Sequence, residues 1–441
     1  MKTFKLGGIH PEENKFANVH PIEIFPLPKQ ATIFLGQHLG VPSVVTVEKG
    51  DKVKVGQLIG KAEAFISANV HAPVSGTVVK IEPIADITGY KRNAVIIDTE
   101  GDEWMNSIDT SPDIIREITL DKFEIIHRMK SCGIVGLGGA CFPTHIKYMI
   151  PPDKKVEFII INGAECEPYI TNDHRLMLEH PEQCLIGIRA MMIASKAPEA
   201  RIGIEINKSD AIKIFSNLVK DFPGIKVVPL KTKYPQGAEK QLIKALTNRA
   251  VPNGKLPIEV GCIVNNMSTA YAVYEAVQKN KPIVETVTTV SGKSLENRKN
   301  YRIRIGTPIM DVLKSVGIPE NTGKIIWGGP MMGKSISNTQ AYAMKGMSSL
   351  LFMSDLESKR SEISNCLRCG KCVSACPMGL EPYLLQTYAE LRRYEQCADN
   401  GIMNCMECGS CSFGCPSHRP LLDYIRAGKV KTGLMLRNRK S

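Results

Sequence analysis

Aromatic residues are scarce, at 6% of the chain with two tryptophans, which argues against a protein that binds single-stranded nucleic acid by stacking bases. No apolar run approaches the roughly 18 residues of a membrane-spanning helix, so a polytopic membrane protein is excluded. The first residues, MKTFKLGGIHPEENK, contain no apolar core of a secretory signal, and the expected location is therefore the cytoplasm. Thiols stay reduced there, so the 14 cysteines suggest metal binding rather than disulfides. Neither collagen-like periodicity nor the composition of a disordered chain is present: 43% of residues are hydrophobic and 23% charged. The 441 residues are enough for about three domains. Lys and Arg exceed Asp and Glu by 12, which favours an acidic partner such as nucleic acid, an anionic membrane face or phosphate groups.

Residues 1–115 read as β-rich. VEKGDKVKVGQLIG suggests a hairpin turning at Gly50-Asp51, and HAPVSGTVVKI a second one around Ser75-Gly76. The pattern resembles the barrel-sandwich hybrid of biotinyl and lipoyl domains. A lipoyl carrier needs an exposed lysine at its hairpin tip, and Ser75-Gly76 stands there instead, so a scaffold without lipoylation is expected. Residues 116–285 alternate apolar strand candidates (KVEFIIING, ARIGIEIN, IKVVPLK, EVGCIVNN) with amphipathic stretches, as in an α/β domain with a largely parallel sheet. Residues 286–349 return to short strands and one helix. Residues 350–441 hold nine of the cysteines and end in a basic tail, RAGKVKTGLMLRNRKS.

Eight of these form two copies of C-x2-C-x2-C-x3-C-P: Cys366, Cys369, Cys372 and Cys376, then Cys405, Cys408, Cys411 and Cys415. This is the spacing of bacterial [4Fe–4S] ferredoxins, in which the fourth cysteine of each run serves the other cluster. One cluster is therefore assigned to Cys366, Cys369, Cys372 and Cys415, and the other to Cys405, Cys408, Cys411 and Cys376. Structural zinc, which prefers paired C-x2-C knuckles, fits poorly. The link EPYLLQTYAELRRYEQCADNG reads as a helix, and Cys397 within it as a packing residue.

A pair of one-electron carriers needs a two-electron site. Gly136, Gly138 and Gly139 follow an apolar strand end, with Pro143 suited to a helix start and Lys147 beyond. Such a loop lets backbone N–H groups approach a phosphate. Asn162, Glu165 and Glu167 sit at the carboxyl end of the next strand, where open α/β sheets bind ligands. YPQGAEKQL contributes Tyr234, Gly237 and Glu239. Asn265, Asn266, Ser268 and Thr269 stand at a strand-to-helix junction, where they can cap the helix or hold phosphate.

GLGGACFPTHIK, INGAECEPY, YPQGAEKQ and VNNMST, in that order, resemble the FMN- and NADH-binding fold of the flavoprotein subunit of respiratory complex I. The segment from Thr286 through GGPMMG is similar to its SLBB domain, a β-grasp. With the N-terminal GGIHPEENK segment and the double cysteine run, the chain resembles the C-subunit family of Rnf electron transport complexes over nearly its full length. The cobalamin reductases of propanediol-using microcompartments are an architectural cousin and the alternative reading. The resemblance implies a peripheral subunit on the cytoplasmic face of a membrane complex that exchanges electrons between ferredoxin and NAD and pumps Na+ or H+. It implies FMN, two [4Fe–4S] clusters and NAD(H), the other subunits of the complex as partners, and ferredoxin indirectly. By matching motif, Gly136, Gly138, Gly139 and Lys147 would cradle the FMN phosphate and ribityl chain. Asn162, Asn265, Asn266 and Thr269 would add flavin contacts, and Glu165, Tyr234 and Glu239 would shape the nicotinamide pocket. The chain departs from the complex I pattern at Leu137, where that flavoprotein has Arg, at His145 in place of Gly, and at Ala238 in place of the first Glu of a pair. Hydride exchange with FMN requires placement rather than a side-chain acid or base, so no catalytic side chain is named.

Two distractions remain. GGPMMGKS, Gly328 to Ser335, matches the Walker A pattern, but Pro330 removes an N–H from the would-be phosphate nest and the following residues make a poor helix. The basic tail lacks interleaved aromatics and suits a membrane surface or acidic subunits better than nucleic acid. Cys141 and Cys166 read as small packing residues.

Overall fold

The computed structural model describes residues 1–439, so Lys440 and Ser441 of the basic tail lie outside the described residues. The fold is a multidomain α/β arrangement. The chain starts with β1 (Glu23–Ile24), β2 (Gln30–Phe34), β3 (Val44–Val45), β4 (Lys52–Val53), β5 (Leu58–Lys61), β6 (Val70–His71), β7 (Ser75–Ala85) and β8 (Lys91–Gly101). Two sheets result, one in the order β2-β8-β7-β4 and the other β3-β5-β6. Their apolar residues, among them Ile33, Val53, Ile59, Val70, Val78 and Ile97, share one core.

The two short hairpins expected here do not form. β3 pairs with β5 while β4 pairs with β7, so Gly50 (φ +99°) is a corner between sheets. Ser75-Gly76 likewise opens β7 after β6 has paired in the other sheet. The continuous hairpin is β7–β8, turning over residues 86–90. A turn signal between two alternating runs marks a reversal, but not which sheet the second run enters.

The first 24 residues do not belong to these sheets. Lys2 and Ile9 bridge to Leu230 and Tyr234, and β1 pairs with a strand near residue 301. A buried lysine joins other distant segments. Lys345 donates to the carbonyls of Asn69 (2.7 Å) and Gly133 (2.8 Å), and burial pushes its ammonium down to about 7. Near it His71 is held at about 3 by burial, with the Lys345 charge adding to the effect. The unfolded chain takes up this proton near pH 6.5 and the folded chain does not. His71 therefore removes stability as pH falls from 6.5 towards 3. Urea unfolding of His71→Gln at pH 7 and pH 5 is expected to show a smaller loss between the two than the unaltered protein; an equal loss would refute this.

The middle unit contains α1 (Lys122–Ser131), β9 (Phe158–Gly163), α2 (Asn172–Glu179), α3 (Pro181–Ser195), β10 (Glu199–Glu205), α4 (Ser209–Leu218), β11 (Ile225–Leu230), α5 (Glu239–Thr247), β12 (Cys262–Asn266) and α6 (Met267–Lys279). All strands are parallel, in the order β11-β10-β9-β12. The apolar run FIIING makes β9 a central strand, its residues 159–161 fully buried. RLMLEHPEQCLIGIRAMMIAS splits into α2 and α3 because Pro181 starts a new helix. α3 packs closely on α6: a Cβ at Gly187 would overlap the Ala270 carbonyl. Gly187→Ala is expected to destabilise the fold by about 2–3 kcal/mol, read as a lower denaturant midpoint; an unchanged midpoint would contradict this packing.

The third sheet has the order β1-β14-β13-β17-β15-β16, built from β13 (Glu285–Ser291), β14 (Lys299–Arg304), β15 (Thr322–Trp327), β16 (Lys334–Ser335) and β17 (Ser349–Ser354), with α7 (Ile309–Val316) against it. This sheet runs through Ser354, five residues past the boundary expected at 349. The Walker-like segment is the turn between β15 and β16, and its Lys334-Ser335 lies on an exposed strand rather than at a helix start. The chain ends in α8 (Asp355–Ser358), α9 (Lys371–Ala375), α10 (Pro382–Glu390), α11 (Tyr394–Asp399), α12 (Ser410–Phe413) and α13 (Leu421–Asn438). The link expected as one helix is two, broken where Arg392 takes a left-handed conformation (φ +56°). Cys397 is buried with Leu385, Ile402 and Ile425, a packing residue.

Candidate functional site

The order β11-β10-β9-β12 puts a topological switch point between β9 and β12, where a ligand crevice is expected at the carboxyl ends. Asn162 and Asn266 are register partners at that end. Asn266 caps α6, its side-chain oxygen accepting from Thr269 N–H (3.3 Å). The glycine loop rests on this helix start. Leu137 N–H donates to Thr269 Oγ1 (2.9 Å), and a Cβ at Gly138 would lie 2.9 Å from Asn266 Cβ. Gly139 has φ +134° and open space beside it. Asn265 donates to the Tyr148 hydroxyl (2.9 Å), but its buried Oδ1 has no partner within the protein. A helix N-terminus, an unencumbered glycine backbone and an orphaned buried acceptor fit a phosphate-bearing ligand with hydroxyl or N–H donors.

Sequence reasoning missed Asp173, whose carboxylate accepts from both Asn266 and Ser268 and so fixes the cap. Its only signal was its place in the first turn of α2. Lys147 does not reach toward the loop as expected. Its ammonium donates to Val264 C=O (2.7 Å) within the sheet, and burial lowers its pKa against the pull of Glu239. Glu239 is exposed at the start of α5.

Asn162 closes the second side. Its amide donates to Gly237 C=O (2.9 Å) and its oxygen accepts from Ala164 N–H (3.0 Å). Glu165 accepts from Asp173 N–H (2.7 Å) and His174 N–H (3.3 Å) at the start of α2. It thus acts as a helix cap, and burial pushes its carboxyl up to about 7. Lys15, from the N-terminal segment, donates to the carbonyls of Glu165, Glu167 and Ile170 at 2.7–2.8 Å, and Lys208 to that of Ala164 (2.7 Å). These two lysines hold the whole 164–170 loop by its backbone, which no local motif announces.

Tyr234 departs most from expectation. It is 1% exposed, and its hydroxyl donates to Cys408 C=O (2.8 Å) in the second cysteine run instead of facing a nicotinamide pocket. Gln241 of α5 likewise donates to Pro377 C=O (3.1 Å), and Gly8 N–H to Ala375 C=O (2.9 Å). The cysteine runs are thereby docked on the ligand-facing edge of the middle unit.

The two runs are local repeats. Arg368 and Glu407, each two residues after the first cysteine, are left-handed, their N–H groups 3.4 Å from Cys366 and Cys405 Sγ. Gly370 and Gly409 follow with φ +73° and +79°, then the short helices α9 and α12. Cys376 joins Cys405, Cys408 and Cys411 around one cavity, walled by Pro377, Met378, Leu380, Leu385, Leu422 and Ile425. Burial raises the Cys372 thiol, and the neighbouring Cys415 adds a little to that rise. Cys366 and Cys369 are exposed. Burial pushes Cys405 up to about 11 and Cys411 up to about 12, each raised further by the other thiols of its cavity. Four thiolates in so apolar a site need a multiply charged cation body to ionise. Among the described residues no three His, Cys, Asp or Glu converge as ligands of a single ion.

Comparison with known proteins decides the family. The model of the RnfC barrel-sandwich hybrid domain matches residues 2–102, and that of the Nuo51 FMN-binding domain residues 129–275. The C subunit of the proton-translocating ferredoxin:NAD(+) oxidoreductase complex of Clostridium ljungdahlii is 44% identical over 97% of this chain and 93% of its own length. The chain belongs to the C-subunit family of ion-translocating ferredoxin:NAD(+) oxidoreductases. The C subunit of the Na(+)-translocating complex of Acetobacterium woodii is 41% identical over 97% of this chain and 96% of its own. That of the ion-translocating oxidoreductase complex of Rhodobacter capsulatus is 37% identical over 98% and 84%. Beyond this family, an NAD+-reducing [NiFe]-hydrogenase structure superposes with a TM-score of 0.51 at 18% identity, over 71% of this chain and 63% of that one, a likeness of fold. As a member of the family, the chain carries an FMN-binding domain within the middle unit.

Proposed function

We propose that this chain is the NAD-side electron-transfer subunit of a membrane-bound ferredoxin:NAD oxidoreductase that couples electron flow to Na+ or H+ translocation. The observation that carries this reading is the seating of one four-thiol cavity on the edge of the FMN-binding domain, joined by the Tyr234–Cys408 hydrogen bond. FMN would supply the conversion of a hydride pair into single electrons, and [4Fe–4S] clusters would conduct them singly. Cys376, Cys405, Cys408 and Cys411 would hold the inner cluster, and Cys366, Cys369, Cys372 and Cys415 the outer, more exposed one. Gly136, Gly138 and Gly139, with Asn265, Asn266 and Thr269, would hold the FMN phosphate and its chain over the α6 N-terminus. Asn162 orients the facing wall through Gly237.

The third sheet is read as an SLBB-type β-grasp and residues 359–439 as a helical double-cluster module. No helix among the described residues is long and apolar enough to cross a membrane, so attachment to the cytoplasmic face would run through the other subunits of the complex. The purified, anaerobically reconstituted protein tests this. About eight iron and eight sulfide with one FMN per chain are expected, together with NADH-dependent reduction of an artificial acceptor. Zinc in place of iron would overturn the reading.

A further inference from the structure

The Walker-like turn, which the electron-transfer reading leaves without a role, already holds an acidic side chain, whose carboxyl burial pushes up to about 7. Met331 N–H (3.1 Å) and Met332 N–H (2.9 Å) both donate to the Glu167 carboxylate. Gly329 is required for the approach, because a Cβ there would overlap Glu167 Oε2. Pro330, the residue that spoils the turn for phosphate, leaves the two following N–H groups as its donors. The carboxylate oxygen that Met332 reaches also lies 3.4 Å from the Tyr234 hydroxyl, which in turn reaches Cys408 C=O. The same turn touches the next residue of the cysteine run: Met331 C=O lies 3.1 Å from where a Gly409 Cβ would stand. The turn and the Tyr234 hydroxyl meet on one carboxyl group, and the cysteine run is reached from it through Tyr234.

We propose that the Gly329–Met332 turn is an internal carboxylate receptor, and that Glu167 and Tyr234 are positioning residues which latch the third unit and the inner cysteine run onto the FMN-side loop. Its bearing on electron transfer rests on the proposed cluster reading. The latch fixes the backbone of Cys408, and with it the placement of one thiolate relative to the flavin domain.

Tyr234→Phe deletes one hydroxyl, and Gly329→Ala displaces the carboxylate from its receptor. Both are made in the reconstituted full-length protein. Losing one buried hydrogen bond is expected to raise local opening about fivefold to tenfold. Hydrogen–deuterium exchange of the amides of residues 407–411 should accelerate by that factor in each variant. The midpoint potential of the inner cluster, read by electron paramagnetic resonance, should shift with iron and flavin contents retained. Exchange and midpoint equal to those of the unaltered protein would overturn the proposal. So would a response to Gly329→Ala with none to Tyr234→Phe, since Tyr234 would then carry nothing. Iron content of the unaltered protein decides the cluster reading separately, because the exchange measurement tests the latch with or without metal.

Discussion

Replacing Cys376 with Ala is expected to remove the same cluster as replacing Cys405, although Cys376 belongs to the other run. The crossed assignment proposed above rests on the cavity that collects Cys376 with Cys405, Cys408 and Cys411. Iron should fall from about eight to about four atoms per chain in either variant. The surviving spectrum should be identical in both and should differ from that left by Cys415→Ala. If Cys376→Ala instead matched Cys366→Ala, each run would bind its own cluster and the crossed pairing would be wrong. The inner cavity is apolar and its thiols are pushed far above neutral by burial, so loss of one ligand leaves three sulfurs with little solvent to stabilise them. Loss of the inner cluster should therefore stop electron passage to the outer one.

The second large effect concerns the glycine loop. Gly138→Val is expected to abolish tight flavin binding. Its Cβ would press on the Asn266 side chain, which caps α6 and is itself held by Asp173. Displacing a cap and overpacking the contact together cost about 3 kcal/mol, or roughly a hundredfold in affinity. Flavin fluorescence titration reads this directly, with the iron content of the cysteine runs as the control for folding. Flavin affinity within a factor of about two of the unaltered protein would mean that the loop over α6 is not the flavin phosphate site.

The parts of the fold legible in the sequence are those that local chemistry determines. FIIING and CIVNN announce the neighbouring strands β9 and β12 because apolar runs end in polar residues at the carboxyl edge, and the two cysteine runs announce repeated loops by spacing alone. What stayed hidden depends on contacts between distant segments. A corner at Gly50 and a hairpin at Gly50 look alike in sequence, and only the partner strands β5 and β7 distinguish them. Lys147 carries the charge expected of a phosphate ligand, yet its ammonium donates to Val264 C=O within the sheet. Tyr234 stands in a motif shared with a nicotinamide pocket, but the cysteine runs supply a carbonyl that takes its hydroxyl. Lys15 is remote in sequence from the 164–170 loop it holds, so no pattern of spacing could reveal it.

The most direct test of the central claim follows electrons from NADH through this one chain. The reconstituted protein is mixed with NADH, frozen at millisecond intervals and examined by electron paramagnetic resonance, with and without FMN loaded. The account predicts that reduced-cluster signals rise on the millisecond scale only in the FMN-loaded protein, and that Cys376→Ala abolishes the rise at the outer cluster. Clusters that stay oxidised with FMN present, or that are reduced equally fast without it, would contradict it.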